Sequence, residues 1–151
     1  MNRALLILML MPLSIPHAGA WADTMEIVLQ PSDDIRRGND YIKAGQISEA
    51  RQAYSRALKA NITVSQQANA YNGLCIADLR EELWEAAMTH CDMAIDLVSY
   101  NWRYYNNRGN VYLGLGQYKK AMEQYEKGLR YAPKSSTIRK NIALAQSRVD
   151  K

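Results

Sequence analysis

The chain has 151 residues, of which 48% are hydrophobic and 23% are charged, and its formal net charge is +4 at pH 7. This length suits one ordinary domain, and the hydrophobic content, with only four prolines and eight glycines, excludes a disordered or fibrous chain. A weak positive charge without a clustered basic stripe gives no sign of nucleic-acid binding, which usually depends on a basic patch or an aromatic stacking motif.

Residues 1–22 have the composition of a secretory signal. Arg3 supplies a positive start, residues 4–13 form an apolar run, and Ala20-Trp21-Ala22 is a small-x-small site of the kind that a signal peptidase cleaves. The apolar run is too short to span a bilayer as a mature helix. The alternative to a cleaved signal is an uncleaved N-terminal anchor. We predict an exported protein, periplasmic or secreted, after cleavage near Ala22.

The rest of the chain contains an internal repeat with a period close to 34 residues. The small residues Gly38, Cys75 and Gly109 are separated by 37 and 34 residues, and four further series keep the same intervals. These series are Ile47, Trp84 and Tyr118; Ala50, Ala87 and Ala121; Tyr54, Cys91 and Tyr125; and Leu58, Ile95 and Leu129. Because five series share one register, we predict three copies of one structural unit.

Each unit has the pattern of two helices joined by a tight turn. In the third unit, Tyr105, Gly109 and Tyr112 recur at helical spacing. Gly114 and Gly116 then interrupt the helix before a second helical series begins. Small residues within such helices allow close approach, because two antiparallel helices can touch only where side chains are small. The pattern therefore predicts helical hairpins.

This pattern resembles the tetratricopeptide repeat. In the third unit the resemblance is carried by Tyr105, Gly109, Tyr112, Ala121, Tyr125 and Pro133. In the first unit it is carried by Gly38, Tyr41, Gly45, Ala50, Tyr54 and Ala57. In the second unit, which departs from the pattern at Asp78 and Ser99, it is carried by Tyr71, Leu74, Trp84, Ala87 and Ala94. The resemblance implies an all-α protein, a right-handed α-solenoid of three antiparallel helical hairpins.

The three units are expected at residues 31–64, 68–101 and 102–135, behind a segment 23–30 that has no clear assignment. Residues 65–67 form a short insertion between the first two units. Residues 136–151 are predicted to form a C-terminal capping helix whose apolar face carries Ile138, Ile142, Ala145 and Val149. A solenoid needs such a helix, because its terminal repeat would otherwise leave an apolar face bare.

The two cysteines both fall in the second unit, Cys75 on its first helix and Cys91 on its second. In an antiparallel hairpin that turns near Glu82 these positions are about level, and an oxidising compartment favours a disulfide between them. Such a bond closes a loop of about 17 residues and contributes roughly 3 kcal/mol in the chain-entropy model. The alternative is two reduced cysteines that fill small core positions.

The sequence offers no arrangement that suits catalysis. His17 belongs to the predicted signal, so His90 is the only histidine of the mature chain. His90 and Cys91 together supply too few ligands for a four-coordinate zinc. A glycine-rich phosphate loop is also missing from the sequence. We therefore predict that the protein is not an enzyme and takes no cofactor, no metal and no small-molecule substrate.

The resemblance to tetratricopeptide arrays implies a concave groove lined by the first helices of the hairpins. In this sequence the family's polar groove positions fall on Asn39, Lys43, Asn69, Asn72, Arg80, Arg103, Asn106 and Asn110. Its apolar positions fall on Ile42, Ile76, Leu79 and Leu113. An asparagine amide offers a donor and an acceptor together, which suits an extended peptide backbone. The cations add attraction for acidic groups.

One binding mode of the family is a clamp for the C-terminal carboxylate of chaperone tails. Asn39 and Arg103 fit that clamp. Ile35, Gly73 and Asn107 stand where it requires a lysine, an asparagine and an arginine. The sequence therefore indicates the scaffold and its binding surface without naming a ligand.

Two functions are compatible with these observations. The leading hypothesis is an exported protein-protein interaction adaptor that binds a peptide or protein partner through the concave groove. The alternative is a self-associating structural component of a cell-envelope complex, in which hairpin faces stack end to end. Concentration-dependent size would favour this second function.

Overall fold

A computed structural model describes residues 31–150. This part of the chain contains the α-helices Pro31–Ala44 (α1), Ile47–Lys59 (α2), Val64–Arg80 (α3), Trp84–Leu97 (α4), Trp102–Gly114 (α5), Tyr118–Tyr131 (α6) and Ser136–Val149 (α7). The helices pack in the antiparallel pairs α1 with α2, α3 with α4 and α5 with α6, and α7 packs on α6. The predicted all-α solenoid of three hairpins and a C-terminal helix is confirmed. The predicted signal and the segment 23–30 lie outside the described residues.

The three hairpin turns share one backbone conformation. Gly45 and Gly116 have φ values of 75° and 71°, in the left-handed region that glycine adopts without steric cost. Glu82 takes the same place in the second hairpin with φ 56°, and its Cβ makes this conformation cost on the order of 1 kcal/mol. Each turn is closed by an amide that donates to the carbonyl five residues earlier, from Gln46 to Tyr41, Leu83 to Asp78 and Gln117 to Tyr112.

Helix α3 begins earlier than the repeat alone would place it. Thr63 accepts a hydrogen bond from the amide of Gln66 at 3.3 Å, and the Gln66 side chain accepts one from the amide of Thr63 at 2.8 Å. This reciprocal pair is a capping box, which starts a helix by satisfying two free amides. Residues 65–67, which we expected as an insertion between two units, therefore lie in the first turn of α3.

The hairpins approach closely where a tyrosine ring lies against glycine. Tyr54 of α2 is fully buried, and a Cβ added at Gly38 or at Gly73 would lie 2.5 or 2.2 Å from its ring. Tyr125 of α6 has the same relation to Gly109, at 2.3 Å. No Cβ fits at such distances in a close-packed interior. Tyr54 thus joins α1 to α2 and also docks the first hairpin onto α3.

Helix α7 occupies the position that the first helix of a further hairpin would take. Ser135 caps it by accepting from the amide of Ile138 at 3.3 Å. Ile138 and Ala145 are fully buried, and they follow the buried Tyr104 and Val111 of α5 by 34 residues. The opposite side of α7 is polar and exposed at Arg139, Lys140, Gln146 and Arg148. None of the helices within residues 31–150 combines the length and apolar character of a membrane span.

Candidate functional site

The first helices α1, α3 and α5 lie side by side, with α3 in contact with both neighbours. The predicted groove residues lie on these three helices: Asn39 and Lys43 on α1, Asn69, Asn72 and Arg80 on α3, and Arg103, Asn106 and Asn110 on α5. Four predicted residues meet at one cavity of about 260 Å³, where Ile76, Leu79, Arg80 and Asn110 are joined by Asn107. This cavity is lined by two apolar and three polar side chains.

Three groove asparagines accept hydrogen bonds from core tyrosines. The hydroxyl groups of Tyr54 and Tyr125 donate to Asn39 and Asn110, at 2.9 and 2.8 Å. The hydroxyl of Tyr104 donates to the Oδ1 atom of Asn69 at 2.8 Å. A buried tyrosine needs a partner for its hydroxyl, and the asparagine oxygen supplies it.

The geometry changes what these asparagines offer to a ligand. We expected each amide to present a donor and an acceptor, but the oxygen of each is already engaged by tyrosine. Within residues 33–150, the Nδ2 groups of Asn39, Asn69 and Asn110 have no hydrogen-bond partner. An amide nitrogen is a donor only. The groove therefore presents N–H groups that suit carbonyl or carboxylate oxygens.

Other asparagines hold the first helices together. Asn107 Nδ2 donates to Asn72 Oδ1 at 2.7 Å, which joins α5 to α3. Asn141 Nδ2 donates to Asn106 Oδ1 at 2.8 Å, which joins α7 to α5. Only 7% of the Asn106 surface is exposed, so this predicted contact residue is part of the groove wall. Both bonds span 35 residues, and that shared interval is the sequence signal by which Asn107 and Asn141 could have been found.

The charged side chains of the groove differ in their partners. Lys43 forms an exposed ion pair with Asp40 at 3.2 Å, a type of contact that contributes little to stability. Arg80 and Arg103 are exposed and have no ion-pair partner within residues 33–150. The guanidinium of Arg103 lies over the ring of Trp102, 4.7 Å from its centroid. Two free cations therefore accompany the amide donors along α3 and α5.

The chaperone-tail clamp has no room at one of its positions. A side chain at Gly73 would collide with the ring of Tyr54, whose hydroxyl also engages Asn39. Ile35 is 8% exposed and belongs to the apolar core. The ring of Tyr54 and the burial of Ile35 give a structural reason for two of the three departures from the clamp pattern, at positions 73 and 35.

A buried charge network lies between the first two hairpins. Asp78, which replaces an aromatic residue of the repeat pattern, is fully buried and accepts hydrogen bonds from Arg51 of α2 and from Nδ1 of His90, the latter at 2.6 Å. Arg51 also pairs with Glu81. Burial acts to lower the pKa of Arg51, but the hydrogen bonds and charges of Asp78 and Glu81 outweigh it and raise that pKa.

The cysteines lie beside this network. In the structure Cys75 of α3 and Cys91 of α4 form a disulfide, with their Cα atoms 5.2 Å apart. Both cysteines are fully buried against Ala87 and Val111. Among the described residues, no three His, Cys, Asp or Glu side chains converge in the way a metal ion requires. The disulfide joins α3 to α4, and the Asp78 network joins α3 to α2.

The buried hydroxyl of Tyr54 makes the stability of the fold decrease at alkaline pH. Burial raises the pKa of Tyr54 to about 12, whereas a tyrosine in an unfolded chain titrates near 10. The folded state then binds more protons than the unfolded state between these values, so stability falls as pH rises through this window. We expect Tyr54→Phe to show a smaller fall, measured by denaturant unfolding at several pH values. Tyr100→Phe is the control, because Tyr100 is 71% exposed; equal pH dependence in both variants would contradict this assignment.

Comparison with known proteins identifies the family. Family models of the tetratricopeptide repeat match residues 35–101 and 102–135. The chain belongs to the tetratricopeptide repeat family. The matched segments run from within α1 to Ser135, the residue before α7, and contain all the predicted groove residues.

Relatives of this tetratricopeptide repeat protein are much longer chains. Sperm-associated antigen 1 of Rattus norvegicus is 26% identical over 107 residues, which are 71% of this chain and 12% of that protein. RNA polymerase II-associated protein 3 of Xenopus tropicalis is 30% identical over 115 residues, which are 74% of this chain and 16% of that protein. The first TPR of Spaghetti (RPAP3), bound to HSP90 peptide SRMEEVD, has a TM-score of 0.73 and 20% identity, covering 80% of this chain and 96% of that one. This structural likeness concerns the fold.

Proposed function

We propose that this tetratricopeptide array is an exported protein-interaction adaptor whose concave groove binds an extended peptide segment that carries an acidic side chain. The observation that carries the proposal is the set of donors along α3 and α5. Arg80 and Arg103 have no ion-pair partner within residues 33–150. Within the same residues, the amide nitrogens of Asn69 and Asn110 have no hydrogen-bond acceptor. Donors without acceptors on one surface favour a ligand that brings carbonyl and carboxylate oxygens.

The cavity beside Arg80 supports a specific mode of binding. Ile76 and Leu79 supply its apolar lining, and Asn107 and Asn110 supply polar groups beside Arg80. An acidic side chain placed there would pair with Arg80, while a neighbouring apolar side chain would contact Ile76 and Leu79. The peptide backbone would accept hydrogen bonds from the amides. Such a combination of an apolar anchor and a few polar contacts is typical of peptide recognition.

The comparisons support a peptide as the ligand. The Spaghetti array, of similar size, binds the HSP90 peptide SRMEEVD, which has acidic residues near its end. This chain differs at the clamp, because the ring of Tyr54 fills the space beside Gly73. We therefore place the acidic group between α3 and α5 and not between α1 and α3. The composition of residues 1–22 supports export of the adaptor.

The groove hypothesis is tested with arrays of short labelled peptides, in which every acidic peptide is matched by its amide counterpart. We expect acidic peptides to bind more tightly than their amide counterparts, with an affinity that falls as salt rises. Arg80→Ala should weaken binding by about tenfold or more, since a desolvated charge pair is lost.

The matched control for this test is Lys59→Ala, which removes an exposed cation at the end of α2, away from the groove. Binding that is the same for Arg80→Ala, Lys59→Ala and the unaltered protein would contradict the proposed site. Equal binding of acidic peptides and their amide counterparts would contradict the proposed ligand.

A further inference from the structure

The edge of the solenoid that carries the hairpin turns has an exposed apolar surface. Leu83 in the second turn is 47% exposed and Leu115 in the third is 41% exposed. The equivalent positions of the first hairpin hold Gln46 and Ala44. The two leucines share one shallow cleft of about 530 Å³ with the half-buried side chains Trp84, Met88 and Tyr112. Two large apolar side chains at adjacent turns create a patch that the repeat pattern does not require.

The cleft is acidic on one side. Glu82 and Glu85 line it at the turn into α4. Both side chains are exposed, and neither has an ion-pair partner within residues 33–150. The neighbouring Glu81 differs from them, because it pairs with Arg51.

The opposite side of the cleft is basic. Lys119, Lys120 and Arg148 line the adjoining cavity between the third turn and the end of α7. These cations also have no ion-pair partner in the described part of the chain. Gln117 lines both the cleft and this basic cavity, so the two are neighbours on the surface. The Nζ atom of Lys120 lies 5.7 Å from the ring centroid of Tyr112, which places a positive charge next to the apolar surface.

The order along this edge is therefore acidic, apolar and basic, and this order is complementary to itself. If two copies are related by a twofold axis through the cleft, Glu82 and Glu85 of each copy face the lysines of the other. The same rotation brings Leu83 and Leu115 of one copy against those of its partner. An isologous contact needs a patch that matches itself in this way.

We propose that this turn edge is the interface of a homodimer. Its apolar centre supplies the affinity, and the charges at its two sides determine the register and speed of association. Because the contact is confined to two turns and the adjoining ends of their helices, we expect a weak, reversible dimer with a dissociation constant on the order of 10 µM. None of the residues that line the cleft also lines the cavity beside Arg80, so we expect each dimer to carry two grooves. Two grooves on one assembly increase the avidity for a partner with repeated segments.

The proposal is tested by sedimentation of the folded chain at concentrations from about 1 to about 300 µM, with Glu85→Lys, Lys120→Glu and the double variant. We expect each single reversal to weaken dimerisation by about tenfold or more, because like charges then face each other. The double variant should recover most of the affinity, since opposite charges face each other again. Leu115→Gln should also weaken the dimer, and Glu49→Lys, at the exposed start of α2, should not.

Circular dichroism melting first establishes that each variant is folded. Only then is the molar mass from its sedimentation interpreted. A chain that stays monomeric over the whole concentration range overturns the proposal and leaves the patch to a different partner. A dimer that neither charge reversal nor Leu115→Gln weakens also overturns it, because the interface then lies elsewhere. Recovery in the double variant is the result that no other interface predicts.

Discussion

Replacing Asp78 with alanine is expected to lower the free energy of unfolding by about 3 kcal/mol. The Asp78 carboxylate is fully buried, and its removal leaves Arg51 and His90 without their shared acceptor. Breaking a buried ion pair by removing one partner typically costs about 3 to 5 kcal/mol. The side chains of Arg51 and His90 are 32% and 25% exposed, so water partly replaces the lost carboxylate. We therefore expect the lower end of that range.

Denaturant unfolding measures this effect, provided that two probes give coincident transitions. Asp78→Asn separates charge from packing, since the amide keeps the shape of the side chain and loses the charge that Arg51 requires. Asp96→Ala is the matched control, because Asp96 is an exposed acid of α4. An Asp78→Ala variant as stable as Asp96→Ala would show that the network contributes nothing to stability.

Loss of the bond between Cys75 and Cys91 should reduce stability by about 3 kcal/mol. The two cysteines are 16 residues apart, and closing a loop of this size restricts the unfolded chain far more than the folded one. The variant to use is Cys75→Ala with Cys91→Ala. Serine at these fully buried positions would add an unsatisfied hydroxyl and confuse the result.

A reductant distinguishes the bond from the packing of sulfur. It should lower the melting temperature of the unaltered protein and leave that of the double alanine variant unchanged. The same stability before and after complete reduction, with both thiols then open to alkylation, would contradict this prediction.

The intact mass of the protein recovered from its own cells tests export and the bond together. We expect the mass of a chain that begins at Asp23, lower by two hydrogens than the mass of the same chain when reduced. A full-length mass with two free thiols would contradict both export and the bond.

The fold follows from the sequence because its main determinants recur in one register. The positions of Gly38 and Gly109, and of Tyr54 and Tyr125, repeat at fixed intervals, and helical hairpins explain that repetition. The local start of α3 is less visible, because the capping box at Thr63 competes with the repeat boundary. A capping box acts through side chains three residues apart and is independent of the 34-residue period.

The groove was harder to predict than the fold. Its helices and positions followed from the resemblance, but the use of its asparagines did not. The bond from Tyr54 to Asn39 spans 15 residues and that from Tyr104 to Asn69 spans 35, so only a packed structure shows that both amides share one role. Asp78 was visible as a departure from the pattern. Its partner Arg51 lies 27 residues earlier on another hairpin, which no periodicity indicates.

The ring of Tyr54 also limits how this protein can change over evolutionary time. An asparagine at position 73, as in arrays that clamp chaperone tails, would collide with that ring. A smaller residue at position 54 alone would leave a cavity and cost about 3 to 5 kcal/mol. Each change is therefore expected to be harmful when it occurs alone. The contact between Tyr54 and Gly73 thus makes the clamp arrangement costly to reach from this sequence by single substitutions.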